Sequence, residues 1–224
     1  MSSSASTVFL DVNETLLDLS ALDSLFEDAL GDAGARRQWF GLLLQLALTQ
    51  TVIGDYHDFK MLGEAALSAL GQTRGQVIPS DLPAQVAAAM RQLPPHPDTA
   101  EALMRLREGG ARLYALTNNP LAVLEAQLKN AGLHDLFDGA LSVDEAHHLK
   151  PHRAAYEYGL RRAGAEASGS WLIAAHGWDI AGAKAVGMKT GFVERAGQAQ
   201  NPLGLADVSG SLSEVVEAVL TRLD

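Results

Sequence analysis

From Asp98 to Val193 the chain alternates helix-length amphipathic stretches with short apolar runs, and that alternation limits the possible folds more than any other feature. Helical spacing runs from Asp98 to Glu108, then come an apolar run at 112–117, a helix at 120–131, a run at 139–143 and a helix at 151–163. A run at 170–175, a helix at 179–186 and a run at 190–193 complete the series. Short continuous apolar runs between helices read as strands buried on both faces. Strands joined through helices pair in parallel by right-handed crossovers, so the expected class is α/β, a parallel sheet with helices on both faces. Reactive groups in such a sheet gather at the carboxyl ends of the strands.

Residues 8–11 supply a first strand, after which the pattern turns helical from about Ser20 to Leu70. Leu42, Leu46 and Thr49 share one helical face that Leu43 and Leu44 widen. Another helix is expected from about Tyr56 to Ala69, stopped at Gly71, and a third from Pro83 to about Leu93. Pro94-Pro95-His96-Pro97 breaks helix and reads as the hinge that returns the chain to the sheet. The expected organisation is a core of residues 1–16 and 97–224 with an inserted helical cap of residues 17–96.

With 224 residues, 47% of them hydrophobic, the chain can bury a large core. Seventeen basic against 27 acidic residues leave a net charge of -10, which disfavours nucleic acid and anionic membranes as partners. An anionic substrate then needs a local positive pocket, for which Arg37 and Lys150 are the candidates. Cys is absent, which excludes disulfides, thiolate catalysis and cysteine–zinc sites and makes the cytoplasm the expected compartment. The start, Met1-Ser2-Ser3-Ser4-Ala5-Ser6-Thr7, lacks a basic region and runs into the first strand, so no removable signal is expected there. The longest apolar stretch, 41–48, is too short and interrupted to span a bilayer.

Val8-Phe9-Leu10-Asp11 carries a carboxylate out of an apolar strand into a polar turn, where it reads as a nucleophile. A turn residue after an edge strand is the plain alternative. Thr15 is placed to support that carboxylate or to cap the next helix.

The Asp11 strand, with Thr15 four residues on, resembles the first motif of the haloacid dehalogenase superfamily, whose members form a covalent intermediate on that Asp. The resemblance continues in order along the chain. Ala111 to Asn119, with Thr117 and Asn118 at a strand end, resembles the second motif; Lys150-Pro151 resembles the third; Trp171 to Asp179 resembles the fourth. It implies a Rossmann-like core with an inserted cap. Phosphatases of the superfamily carry a second Asp two residues after the nucleophile, but this chain has Asn13, which forgoes general-acid assistance of roughly 10²- to 10⁴-fold. Ala174 and Ala175 leave the fourth motif without an expected carboxylate, and Asp11 with Asp179 is a poor cage for Mg²⁺, so no metal and no cofactor is expected.

A departing halide needs neither proton nor metal, and the resemblance therefore points to the 2-haloacid dehalogenase branch. It implies Asp11 as nucleophile, supported by Thr15, Lys150 and Tyr156, with Asp179 orienting water. It further implies an Arg from the cap. Arg37 is favoured over Arg36 by its Arg-Gln step, and the other of the pair reads as a surface charge. Arg37, Asn118 and Trp178 would cradle the halide, while Thr117 and the backbone amides of Val12 and Asn13 hold the substrate carboxylate. Trp178 also has a reading as an ordinary core aromatic. His176 reads equally as a general base titrating near neutrality and as a space-filling ring. His147 and His148 are adjacent, so one metal site is a weak reading for them. A homodimer is expected by resemblance alone. Two rival functions remain: a phosphate-ester hydrolase with a weakened Mg²⁺ site, and a ligand-binding protein without turnover.

Overall fold

In the computed structural model, which describes residues 6–223, six strands form one all-parallel sheet. They are β1 (Thr7–Leu10), β2 (Arg112–Thr117), β3 (Gly139–Ser142), β4 (Ser170–Ala174), β5 (Lys189–Val193) and β6 (Val208–Gly210), in the order β3-β2-β1-β4-β5-β6. Residues 1–5, the serine-rich start, lie outside the described residues. β1 and β4 are buried at every position, which is why their sequences run apolar without alternation. Because β1 lies between β2 and β4, the chain order reverses beside it, and the crevice at such a reversal is where open sheets bind ligands.

The sheet's helices are α5 (Thr99–Glu108), α6 (Leu121–Asn130), α7 (Arg153–Ala163), α8 (Gly177–Ala185) and α9 (Leu212–Leu220). α5 packs on α9 and α7 on α8, giving a layer on each face. β6 and α9 extend the alternation beyond Val193, and α9 starts at a Ser211–Glu214 capping box with Leu212, Val215, Val216 and Val219 all buried.

Between β1 and α5 stand α1 (Asp23–Leu30), α2 (Ala35–Ile53), α3 (Phe59–Arg74) and α4 (Leu82–Met90). The face of α2 differs from expectation. Trp39, Phe40, Leu43 and Ala47 are buried, whereas Leu42 and Leu46 are half-buried and Thr49 is exposed. The aromatic pair sets the phase, with Trp39 donating to the Gly63 carbonyl at 2.9 Å and stacking near Phe26. α3 does not stop at Gly71. That glycine is buried in the helix, where a Cβ would meet the Gln76 carbonyl and Ile78, and the stop is Gly75 at φ 60°.

The two crossings between sheet and helices lie side by side. Leu17 bridges Pro95, the Asp18 N–H donates to the Pro94 carbonyl at 2.8 Å, and the His96 N–H donates to the Leu16 carbonyl at 2.9 Å. Arg195 clamps the same place, donating to both Asp98 oxygens and to the Thr15 carbonyl. Among the described residues no helix is long and apolar enough to cross a membrane.

Candidate active site

Asp11 follows β1 directly, and its N–H still donates to the Ile173 carbonyl of β4, so the strand's geometry aims the carboxylate past the sheet edge. The Leu16 and Leu17 N–H groups close the next turn onto the Val12 carbonyl. The N–H groups of Val12 and Asn13 make no backbone hydrogen bond among the described residues, which leaves them as donors in the turn. Both oxygens of Asp11 are claimed. Oδ1 accepts from Lys150 Nζ at 2.8 Å; Oδ2 faces the Thr15 hydroxyl at 2.7 Å and His176 Nδ1 at 3.1 Å. The Thr15 hydroxyl in turn accepts from the Ala175 N–H, so this threonine supports the carboxylate rather than capping a helix.

Lys150 is buried, and its three donors go to Asp11, to Asp179 Oδ2 at 2.7 Å and to the Leu116 carbonyl at 3.0 Å. With every proton used, this ammonium positions carboxylates and has none left for a substrate. It precedes α7 rather than lying on it, held by the Asn118 side-chain oxygen on its own N–H. Asp179, in the first turn of α8, is fully buried, with its second oxygen taking the Tyr156 hydroxyl at 2.6 Å. Gly182 is what lets Tyr156 in, since a Cβ there would collide with the phenol and with Pro151. Gly182→Ala is accordingly expected to lose about 1–3 kcal/mol of stability, outweighing its helix-propensity gain, and to lower activity by displacing Tyr156; urea unfolding and turnover check both.

Burial raises Asp11, but the Lys150 charge and the His176 contact outweigh it and hold the carboxyl well below the usual range. Burial keeps Asp179 above its usual value despite Lys150. Burial also lifts the Tyr156 phenol, reinforced by the charge of Asp179, so the phenol stays a donor.

His176 is where the structure departs most from expectation. Its Nδ1 faces Asp11, and its Nε2 lies 2.9 Å from Glu14 Oε2. Burial lowers its affinity for a proton, yet hydrogen bonds and charge from the two carboxylates overcome this and raise the pKa to about 9. Near neutrality it is an imidazolium, not the free base or the inert ring that sequence allowed. A group raised above its unfolded value of 6.5 stabilises the fold fully below that pH and loses the contribution as pH rises through about 9. Urea midpoints should therefore fall between pH 6.5 and 9, and this part of the fall should vanish in His176→Gln.

Glu14 was not singled out from sequence. It has φ 61°, a left-handed backbone that a bulky residue adopts only when neighbours hold it. Arg36 Nη1 at 3.2 Å, His176 and Gln198 Nε2 at 2.8 Å hold it. Arg36 is buried and also bonds Asp23 at 2.8 Å, so the reading of the other arginine of the pair as a surface charge is corrected: Arg36 is interior, whereas Arg37 is exposed. The phase of α2 that buries Trp39, Phe40 and Leu43 carries residue 36 inward and residue 37 outward. Arg37 does line the mouth of an open cavity of about 260 Å³ with Glu14, His176, Trp178 and Leu44, and makes no ion pair among the described residues.

Trp178 stacks on His176 with ring centroids 5.0 Å apart, and its buried indole N–H has no acceptor among the described residues. Asn118 spends only its oxygen, on Lys150. Thr117 is buried at the end of β2, its hydroxyl oxygen accepting from the Asn119 N–H. The Asn13 side chain turns away into a buried amide cluster, its oxygen receiving Gln127 at 3.1 Å and Asn119 at 3.4 Å. A metal does not fit this donor set. The Lys150 ammonium stands between Asp11 and Asp179, and Glu14 lies across His176 from them.

Residues 5–187 match the family model of haloacid dehalogenase-like hydrolases. The chain belongs to that family. Among the relatives of this haloacid dehalogenase-like protein, haloacetate dehalogenase H-2 of Moraxella sp. (strain B) is 32% identical over 172 residues, 74% of each chain. The (S)-2-haloacid dehalogenase of Xanthobacter autotrophicus is 29% identical over 208 residues, covering 92% of this chain and 81% of that one. A solved L-2-haloacid dehalogenase from Xanthobacter autotrophicus, with chloropropionic acid covalently bound, shares the fold at TM-score 0.88 and 24% identity over 96% of this chain and 98% of that one. Within the family's frame, the parallel sheet and its central β1 bear out the expected Rossmann-like core.

Proposed function

We propose that this haloacid dehalogenase-like protein hydrolyses small 2-haloalkanoates by way of an ester on Asp11, acting in the cytoplasm with residues 17–96 as a cap over the nucleophile. The observation that carries the reading is the bracket of Lys150 across Asp11 and Asp179, which keeps Asp11 ionised without a metal. A carboxylate held so far below its usual range is always available as a nucleophile, and halide departs as an anion with no proton required.

Oδ2 has both lone-pair directions occupied by Thr15 and His176, whereas Oδ1 has only Lys150, so Oδ1 is the attacking atom. Its electron pair forms the new C–O bond as the C–X bond breaks and the pair leaves with the halide. The Trp178 and Asn118 donors and the exposed Arg37 guanidinium suit the halide and the arriving anion. Thr117 and the turn amides of Val12 and Asn13 suit the substrate carboxylate. Water then adds to Cγ of the ester, giving its proton to Asp179. Collapse expels the hydroxyacid oxygen, which takes that proton back, and Asp11 ionises again. The names of the relatives support this substrate class, two of them being dehalogenases of haloacetate and of (S)-2-haloacids. Ion chromatography of halide from chloroacetate and from L- and D-2-chloropropionate, with EDTA present, tests it. Release from chloroacetate and the L isomer is expected; release from none of the three overturns it.

A further inference from the structure

The Glu14–His176 pair has a geometry that nucleophilic attack does not use. The Thr15 hydroxyl and His176 Nδ1 converge on one atom, Asp11 Oδ2, while the Ala175 N–H fixes Thr15 from behind. If the ester forms on Oδ1, Oδ2 becomes the ester's carbonyl oxygen. It is the atom on which negative charge develops when water adds.

We infer that Thr15 and the His176 imidazolium form the oxyanion hole for hydrolysis of the Asp11 ester, with Glu14 as the positioning residue that keeps the imidazole charged and aimed. The inference rests on the dehalogenase reading and deepens it. In the hydrolytic step the water oxygen bonds Cγ and the carbonyl pair moves to Oδ2, where two donors already stand. When the C–O bond to the hydroxyacid breaks, the pair returns to the carbonyl. His176 loses no proton at any stage. Donors preorganised at a developing oxyanion are each worth on the order of 10²- to 10³-fold in rate.

Glu14 explains how the cation outlasts esterification. Alkylation removes the charge of Asp11, and only a second carboxylate on Nε2 can then hold the proton. The groups facing His176 are Asp11 and Glu14, the rings of Phe40 and Trp178, Gln198 and Arg36 behind Glu14, and Lys150 beyond Asp11. Among these only Asp11 and Glu14 favour its charged form. The left-handed backbone at Glu14 sets that carboxylate opposite the imidazole, across the cavity wall.

The test separates the two half-reactions with L-2-chloropropionate by rapid quench, reading chloride and, by intact mass, the protein ester. In His176→Ala, ester decay should slow on the order of 10²- to 10³-fold, far more than the first-turnover chloride release, so the ester accumulates. In the wild type, ester decay should fall as pH rises, and Glu14→Gln should move that fall to lower pH, a displacement that mere loosening of the loop does not produce. Ester decay in the wild type that climbs with pH over the same range makes His176 a base and overturns the inference. So does a His176→Ala protein whose two steps slow equally. A wild type that neither releases chloride nor gains mass removes the dehalogenase reading itself, and the inference with it, whereas chloride release with either overturning result leaves that reading intact.

Discussion

Asp11→Asn is expected to lose turnover on the order of 10⁶-fold, the scale on which a hydrolase fails when its covalent nucleophile is removed. Halide release measured alongside the wild type checks the loss, and intact mass after prolonged incubation should show no ester. Activity within tenfold of wild type would sink the covalent scheme. The same variant carries a stability signature. The folded Asp11 carboxyl lies below its unfolded value of 3.8, so its contribution is complete above that pH and disappears as pH falls. The variant should therefore lose less stability than the wild type on acidification below about pH 4.

Lys150→Met is expected to have the largest effect on folding. The ammonium bridges two buried carboxylates, and breaking a buried pair by deleting one partner costs about 3–5 kcal/mol. In the variant, repulsion from Asp11 adds to burial and raises the folded pKa of Asp179 further above its usual value, so its neutral form favours the fold. Its stability should consequently rise as pH falls from 7 towards 4, opposite in sign to the contribution of Asp11 in the wild type. Urea midpoints at both pH values decide this, and a midpoint equal to wild type at pH 7 would show that the bracket contributes nothing. Turnover should disappear with it, because the cation that positions the Asp11 and Asp179 carboxylates is gone.

These residues were readable because they obey local rules. β1 and β2 are apolar runs whose ends bring Asp11 and Thr117, and Asp179 follows β4 in the first turn of the next helix. What was not readable is relational. Arg36 and Arg37 are equivalent in any window of sequence, and only the phase set by Trp39 and Phe40 separates them. Gly71 has the residue type of a helix stop, yet the close approach of Gln76 and Ile78 explains it instead. The charge on His176 depends on Glu14, 162 positions away, and the amide cluster of Asn13 depends on Gln127, 114 positions away. Glu14 could have been flagged by one signal, a bulky charged residue in a tight turn beside the nucleophile.

The paired crossings at Leu17 and Pro95 make the four intervening helices a detachable module. Because the chain leaves and re-enters the sheet at one spot, closed by Asp18–Pro94 and Leu16–His96 backbone bonds, a segment of any length can be grafted there without rethreading β1 through β6. Under the proposed function, selection can thus vary the walls that choose a substrate while the machinery that reacts with it stays as it is. Some side chains tie the two together, Arg36 to Glu14, Tyr56 to Asp144 and Gln127 to the Met90 carbonyl, so an exchanged module must bring its own partners for those groups.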